Sequence, residues 1–377
     1  MDSFRAGHWP VLGPIAAAVA ALAVALAVGC RPAAPGPGEE AVVVVSSCSL
    51  WLMAPDGRQQ SRLLASRGYL SDPAWSPDGR QVAYVARPDR LCLVHVTSRR
   101  EQPLVSGVAE DVRWPRWSPD GKQLAFMGDG RLYTIAAAPG AQPAPRTPPG
   151  WGALYSGDAP AWSPDGTHLA VAAGRPGKSA IYVTAAGDGA LRRIVLKGDN
   201  RSPAWSPDGA WIAFASERSG ATNLYVVRPD GHDEQALTQG PGTDMDPVWS
   251  PDGKRVVFSR RLTRPTKGGS PGTTGVWVVE VSTRREHALT PGSRWDGHAT
   301  WSPDGERVVF VSYRDAPARR TPSPYAEDAD RTQLELYTVR RDGTGLQRLT
   351  RNRTEEDFPV WWGPGATEHD KAGRLPP

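Results

Sequence analysis

The pentapeptide Trp-Ser-Pro-Asp-Gly occurs six times in 377 residues, beginning at Trp75, Trp117, Trp162, Trp205, Trp249 and Trp301, with spacings of 42, 45, 43, 44 and 52 residues. A repeat of this length that contains four short strand patterns marks a propeller blade, a unit that buries its faces only when neighbours stack on it. The unit from Trp205 shows how the residues make it. Ser206-Pro207-Asp208-Gly209 forms a turn, with Pro presetting φ at the first central position and Gly free to take a positive φ. Trp205 ends one strand and Trp211 to Ala215 begins the next. Asn223 to Val227 forms a third, Pro229-Asp230-Gly231 a second turn, and Gln235 to Thr238 a short fourth. Large aromatic side chains fill the gaps between such sheets. With 40 Gly, 37 Pro and 15 Trp, composition also points to a turn-rich all-β chain rather than a helical bundle.

The order WSPDG, a strand like Ile212-Ala213-Phe214-Ala215-Ser216, then Leu224-Tyr225-Val226, Asp230-Gly231 and Leu237-Thr238 resembles the TolB-like propeller repeat family. That resemblance spans nearly the whole domain and implies a β-propeller. It does not by itself imply one function, because such repeats serve periplasmic binding proteins, peptidase propellers and propeller lyases. Blade number is read from the chain ends. Phe358-Pro359-Val360-Trp361-Trp362 mirrors Met245-Asp246-Pro247-Val248-Trp249 but continues as Gly-Pro-Gly, so it is a seventh inner strand without its hairpin. Three strand patterns near the start, Val42 to Ser46, Ser49 to Met53 and Arg62 to Ala65, supply what is missing. Joining the ends gives seven blades and removes open edges. Six, common in the family, is the alternative.

Val11 to Gly29 is an apolar run ending at Cys30, the layout of a secretory signal. Leu26-Ala27-Val28-Gly29-Cys30 resembles a bacterial lipobox, with Ala27 in place of the usual Leu. The reading is a lipoprotein signal over 1–29, lipidation at Cys30, a Pro- and Gly-rich tether over 30–41, the propeller over 42–365 and a disordered tail over 366–377. An uncleaved anchor and simple secretion are the alternatives.

In a four-stranded meander the first and third turns share one end, so the SPDG and later Asp-Gly turns lie on one face. The opposite face takes the long connections read at Pro139 to Asp158, Arg260 to Gly275 and Arg314 to Gln333. It also takes the segment before each blade tryptophan, which is repeatedly acidic: Asp72, Asp111, Asp158, Asp199, Asp244, Asp246, Asp296, Glu355, Glu356 and Asp357. An electronegative channel mouth follows, suited to a basic peptide or loop, or to Ca²⁺ or another divalent cation. The resemblance implies partner binding around this mouth. The opposing reading is that each carboxylate bonds local backbone amides. On the binding reading, replacing Asp244, Asp246 and Asp296 by Ala leaves folding intact.

No catalytic constellation is visible. The histidines after the signal are His95, His168, His232, His287, His298 and His369, in no metal-ligand spacing, and His298 beside Asp296 is the one in a mouth segment. Gly268-Gly269-Ser270-Pro271-Gly272 matches GxSxG without the strand and helix of a nucleophile elbow. Cys48 and Cys92, read in the third strands of adjacent blades, differ in register, which argues against a disulfide. A net charge of +4 without a basic block argues against nucleic acid. The expectation is a monomeric, exported, membrane-anchored lipoprotein, non-catalytic and without a required cofactor, that binds an envelope protein, peptide or glycan. The alternative is a metal-dependent polysaccharide lyase or hydrolase with His298 and nearby carboxylates as its site.

Overall fold

A computed structural model describes residues 39–363 apart from 47, 87–88, 108–110, 148–157, 176, 188–189, 263–272, 294, 316–333 and 352–355. The signal, Cys30, most of the tether, the GxSxG segment and the tail lie outside the described residues. Among the described residues no helix is long and apolar enough to cross a membrane.

The strands form seven separate four-stranded antiparallel sheets, which makes the fold a seven-bladed all-β propeller. Blades 1 to 6 are numbered here from their inner-strand tryptophans, Trp75 to Trp301. Blade 4 is representative, with strands Asn200–Trp205, Ile212–Ser216, Asn223–Val227 and Gln235–Ala236. Blade 7 joins the chain ends as the sequence predicts: Glu356–Trp362 is its inner strand, and Ala41–Ser46, Ser49–Met53 and Ser61–Ala65 complete it. Ala41 pairs with Trp362 and Val43 with Val360. The first strand thus starts one residue earlier than expected.

Each SPDG turn is tied by its own side chains. In blade 4, Ser206 Oγ donates to Asp208 Oδ1 (2.5 Å) and accepts from the Trp211 amide (2.9 Å), while the Ala210 amide donates to Asp208 (3.0 Å). Gly209 has φ +70, open to glycine at no steric cost, and a Cβ there would come within 3.3 Å of Pro164 in the neighbouring turn. The turns are therefore packed edge to edge around one face.

The blade tryptophans clasp the ring. Trp117 Nε1 donates to Ala74 O (3.1 Å), Trp162 to Arg116 O (3.0 Å), Trp249 to Ala204 O (3.0 Å) and Trp301 to Val248 O (3.1 Å). In each case the acceptor is the residue just before the preceding blade's tryptophan. Trp75 closes the circle onto Val360 O (3.1 Å). Trp205 breaks the series: its buried Nε1 has no partner among the described residues, and the inner strand before it is only Ala161–Trp162. Between blades, apolar faces interdigitate, as where Leu50 and Leu52 of blade 7 meet Val82 and Tyr84 of blade 1. Each fully buried side chain of this size contributes roughly 1.5–3 kcal/mol.

Candidate functional site at the channel mouth

Inner strands surround the central channel, and each contacts those of both neighbours. They are not regular. In blade 4, Arg201 pairs with Ala215 but Ala204 with Ala213, so one extra residue bulges out, and Ser202 at the bulge has φ +51. The same bulge falls three residues before the tryptophan in blades 1, 2, 5 and 6, with Asp72, Trp114, Asp246 and His298 at φ between +50 and +54. The residue after it is Pro73, Pro115, Pro203 or Pro247, and Ala299 in blade 6. Proline lacks the amide that a ladder needs and so suits a bulge. Left-handed backbone at non-glycine residues is strained, and here it recurs at one inner-strand position in five blades.

The acidic residues predicted for the mouth divide by environment. Asp244 and Asp296 are fully buried and do not face open solvent. Asp244 accepts two bonds from Arg260 (2.6 and 2.7 Å) and one from Thr238 (2.6 Å), and Arg260 also reaches Glu286 (2.6 Å). Burial pulls the Arg260 pKa down, but Asp244 and Glu286 outweigh it and leave the guanidinium above its usual value. Asp296 repeats the arrangement with Arg314 (2.9 Å), Thr290 (2.7 Å), Ser293 (2.5 Å) and Ser312 (2.5 Å). Both arginines lie over aromatic rings, Arg260 at 4.7 Å from Trp277 and Arg314 at 4.8 Å from Tyr337. In blade 4, Arg218 sits 4.4 Å over Tyr225 and donates to Asn200 (3.0 Å). These are internal struts. The expectation that Asp244 and Asp296 can be removed without harm to folding is corrected on that ground: their loss strands a buried cation.

Asp199 is also buried, accepting from the Ser179 amide (2.9 Å) and Arg201 (2.6 Å). Burial raises its pKa, yet the Ser179 amide and Arg201 together hold it below the ordinary value. Asp111, half-buried at the rim, bonds Arg113 at 2.7 Å. Glu355 lies outside the described residues, as do the side chains of Glu356 and Asp357.

Asp72, Asp158 and Asp246 remain for the channel. Asp158 takes the Ser202 amide (2.8 Å) and hydroxyl (3.0 Å) of the next blade, and the same hydroxyl lies 3.3 Å from Asp246 of the blade beyond. These partners are 44 residues apart, so the bonds link blades rather than cap a local turn. Burial raises the Asp158 pKa, and the nearby Asp246 carboxylate adds to this against the Ser202 bonds and Arg201. Asp72 is buried and accepts from Ser71 (2.8 Å). Arg116 is open to water yet enclosed by protein, as a side chain within a channel is; that enclosure pulls its pKa down and Asp72 opposes the effect. The channel is thus not uniformly negative, because a cation enters from blade 2.

Since the raised pKa of Asp158 favours its protonated form in the fold, ionisation opposes folding once pH passes the unfolded value. The Asp158→Asn protein should then unfold at a higher urea concentration than the parent at pH 7, with the gap closing near pH 3.5. A gap that persists unchanged at low pH would contradict this assignment.

His298 stacks edge-on against Trp295 at 5.2 Å. Among the described residues no group of three or more His, Cys, Asp or Glu is placed to hold a metal ion. Residues 139–143 belong to the third turn of blade 2, leading into the outer strand Ala144–Pro145, so that part of the first long connection lies on the SPDG face. Most of the other two long connections falls outside the described residues. Cys48 sits in a turn rather than a strand, Cys92 is buried, and both are free thiols. Burial first, then the Glu101 charge, pushes the Cys92 thiol up to about 11.

Residues 153–364, more than half of the chain, match the model of the TolB beta propeller domain, PD40. The chain belongs to the TolB β-propeller family. A TolB homolog of Chlorobium luteolum is 32% identical over 160 residues, which is 40% of this chain and 35% of that protein, so the match spans about a third of the relative's length. The crystal structure of TolB from Acinetobacter baumannii superposes with a TM-score of 0.55 at 20% identity, covering 92% of this chain and 71% of the other. An oligogalacturonate lyase in complex with manganese gives 0.58 at 16%, covering 84% and 86%. The propeller of the trilobed protease of Pyrococcus furiosus gives 0.58 at 14%, covering 85% and 97%. At these identities the structural likeness shows the fold alone. The protease propeller is described as having an open velcro topology; this TolB-family chain instead pairs its terminal strands.

Proposed function

We propose that the protein is an exported lipoprotein of the cell envelope, lipidated at Cys30, that acts as a non-catalytic binding or scaffold propeller for a protein, peptide or glycan. The observation that carries the binding site is the Asp158–Ser202–Asp246 arrangement. One serine hydroxyl has one hydrogen, so it can satisfy only one of the two carboxylates it stands between. A cationic group from a partner, such as a lysine, an arginine or an amine, would supply the remaining bonds, offset the burial that raises the Asp158 pKa and relieve the Asp246 repulsion that adds to it. Affinity should therefore grow as pH rises through that raised pKa, because the partner favours the ionised form. Family membership supports binding as the role, and the TolB relatives support an envelope setting.

The test is capture from envelope extracts with the lipidated protein and its Asp72→Asn, Asp158→Asn, Asp246→Asn triple variant. The amides keep size and most hydrogen bonds, so folding is retained, while capture of the specific partner should fall at least about tenfold, or ~1.4 kcal/mol. Undiminished capture by a folded triple variant would remove the mouth from consideration.

A further inference from the structure

We propose that the lipidated protein lies with its SPDG-turn face against the membrane and its acidic mouth pointing away. This rests on the lipoprotein reading above and adds a direction to it. The chain enters the fold at the turn end of blade 7, because Ala41 pairs with Trp362 and the strand then runs back toward the mouth. Glu40 is fixed there. Trp361 Nε1 donates to its carboxylate at 3.3 Å, and a Cβ on Gly363 would meet Glu40 Cγ at 2.7 Å and Pro303 Cγ at 2.8 Å. Pro303 belongs to the SPDG turn of blade 6, so the tether leaves beside that turn.

Ten residues then lead back from Glu40 to Cys30. Fully extended they reach about 35 Å, while a relaxed flexible chain of that length spans only about 17 Å. The mouth lies one strand, roughly 20 Å, beyond the exit. To bring the mouth to the bilayer the tether would have to run along the outside of a blade, stretched beyond its relaxed span, and lose chain entropy. With the turn face down it need not stretch. The surface near the exit also suits this placement. Between blades 5 and 6, on the same face, a groove of about 380 Å³ is lined by Arg255, Arg285, Arg341 and His287 against Glu280 and Asp342. Arg341 is held from blade 6 itself, by Glu306 at 3.2 Å. A rim rich in guanidinium groups is compatible with phosphate headgroups.

The experiment uses the full lipidated chain carrying Cys48→Ser, with one exposed position of blade 4 changed to cysteine for a donor dye: His232→Cys at the turn face or Ser219→Cys at the mouth end. Blade 4 lies across the ring from the exit, so a tilted disc is not mistaken for a flat one. Each protein is reconstituted into phosphatidylethanolamine and phosphatidylglycerol vesicles bearing an acceptor lipid. Transfer should be roughly twofold greater from position 232 than from position 219, given the strand-length separation. Equal or reversed transfer from vesicle-bound protein overturns the orientation while leaving the anchor in place. If the protein fails to float with vesicles, just as Cys30→Ser protein should, the anchor reading falls and the orientation with it.

Discussion

Replacing Arg260 by Ala is expected to cost about 3–5 kcal/mol of folding stability, the range for breaking one partner out of a buried ion pair. The Asp244 side chain is fully buried, and it accepts two hydrogen bonds from this guanidinium against one from Thr238. Without Arg260, Thr238 alone faces a carboxylate that water cannot reach, and the ring of Trp277 loses the cation above it. Urea unfolding followed by tryptophan fluorescence would show the loss. A cost of about 1 kcal/mol or less, the range for exposed pairs, would mean that the strut is solvated and that Asp244 is available to a ligand after all. The companion experiment replaces both partners, Asp244→Leu with Arg260→Met. Because desolvating two charges offsets most of their attraction, this double variant should recover much of the stability lost by the single one. The two outcomes together separate a structural carboxylate from a binding one, which position relative to a tryptophan cannot do.

That distinction marks where the sequence stopped being informative. The propeller was legible because Ser-Pro-Asp-Gly is a local device, its side chains closing their own turn, and a local device leaves its mark in consecutive residues. Seven blades were legible because Phe358 to Trp362 keeps the inner-strand pattern after losing the turn. The mouth was legible only as a row of acids. Asp244 and Asp246 are two residues apart, yet one is sealed against Arg260 and the other stands beside Ser202 of the previous blade. A bulge at Asp246 turns it away from the regular strand that holds Asp244, and a bulge is a property of strand pairing. The one sequence trace of the struts, an arginine two residues after Phe258 and four after Phe214 and Phe310, becomes meaningful only when those arginines are seen over the next strand's ring. Arg116 and Ser202 were missed for the same reason: each occupies a position filled by other residue types in the remaining blades.

The closing blade invites the second large effect. Its inner strand and blade 1 are joined by chain segments 285 residues apart, so the contact between them carries the whole loop-closure entropy of the ring. The Trp362 ring lies against the turn glycine of blade 1, Gly79, as Pro77 lies against Gly121 and Pro164 against Gly209. Trp362 Nε1 donates to Pro77 O at 3.1 Å, its ring lies 5.9 Å from that of Trp75, and a Cβ on Gly79 would come within 2.3 Å of it. Gly79 at φ +67 leaves just the room the indole fills. Trp362→Ala should therefore cost about 3–5 kcal/mol, the range for deleting a large buried aromatic. Trp362→Phe, which keeps most of the packing, should lose closer to 1 kcal/mol with the hydrogen bond. Gly79→Ala presses the same interface from the other side and should also destabilise, since neither the left-handed backbone nor the indole leaves room for a methyl group. In limited proteolysis the alanine variant should be cut first within 41–65, the strands that depend on the closing pair. If its urea midpoint instead shifts no more than a surface substitution would, within about 0.5 kcal/mol, the ring is held by the remaining blades and the terminal strands merely cover an edge.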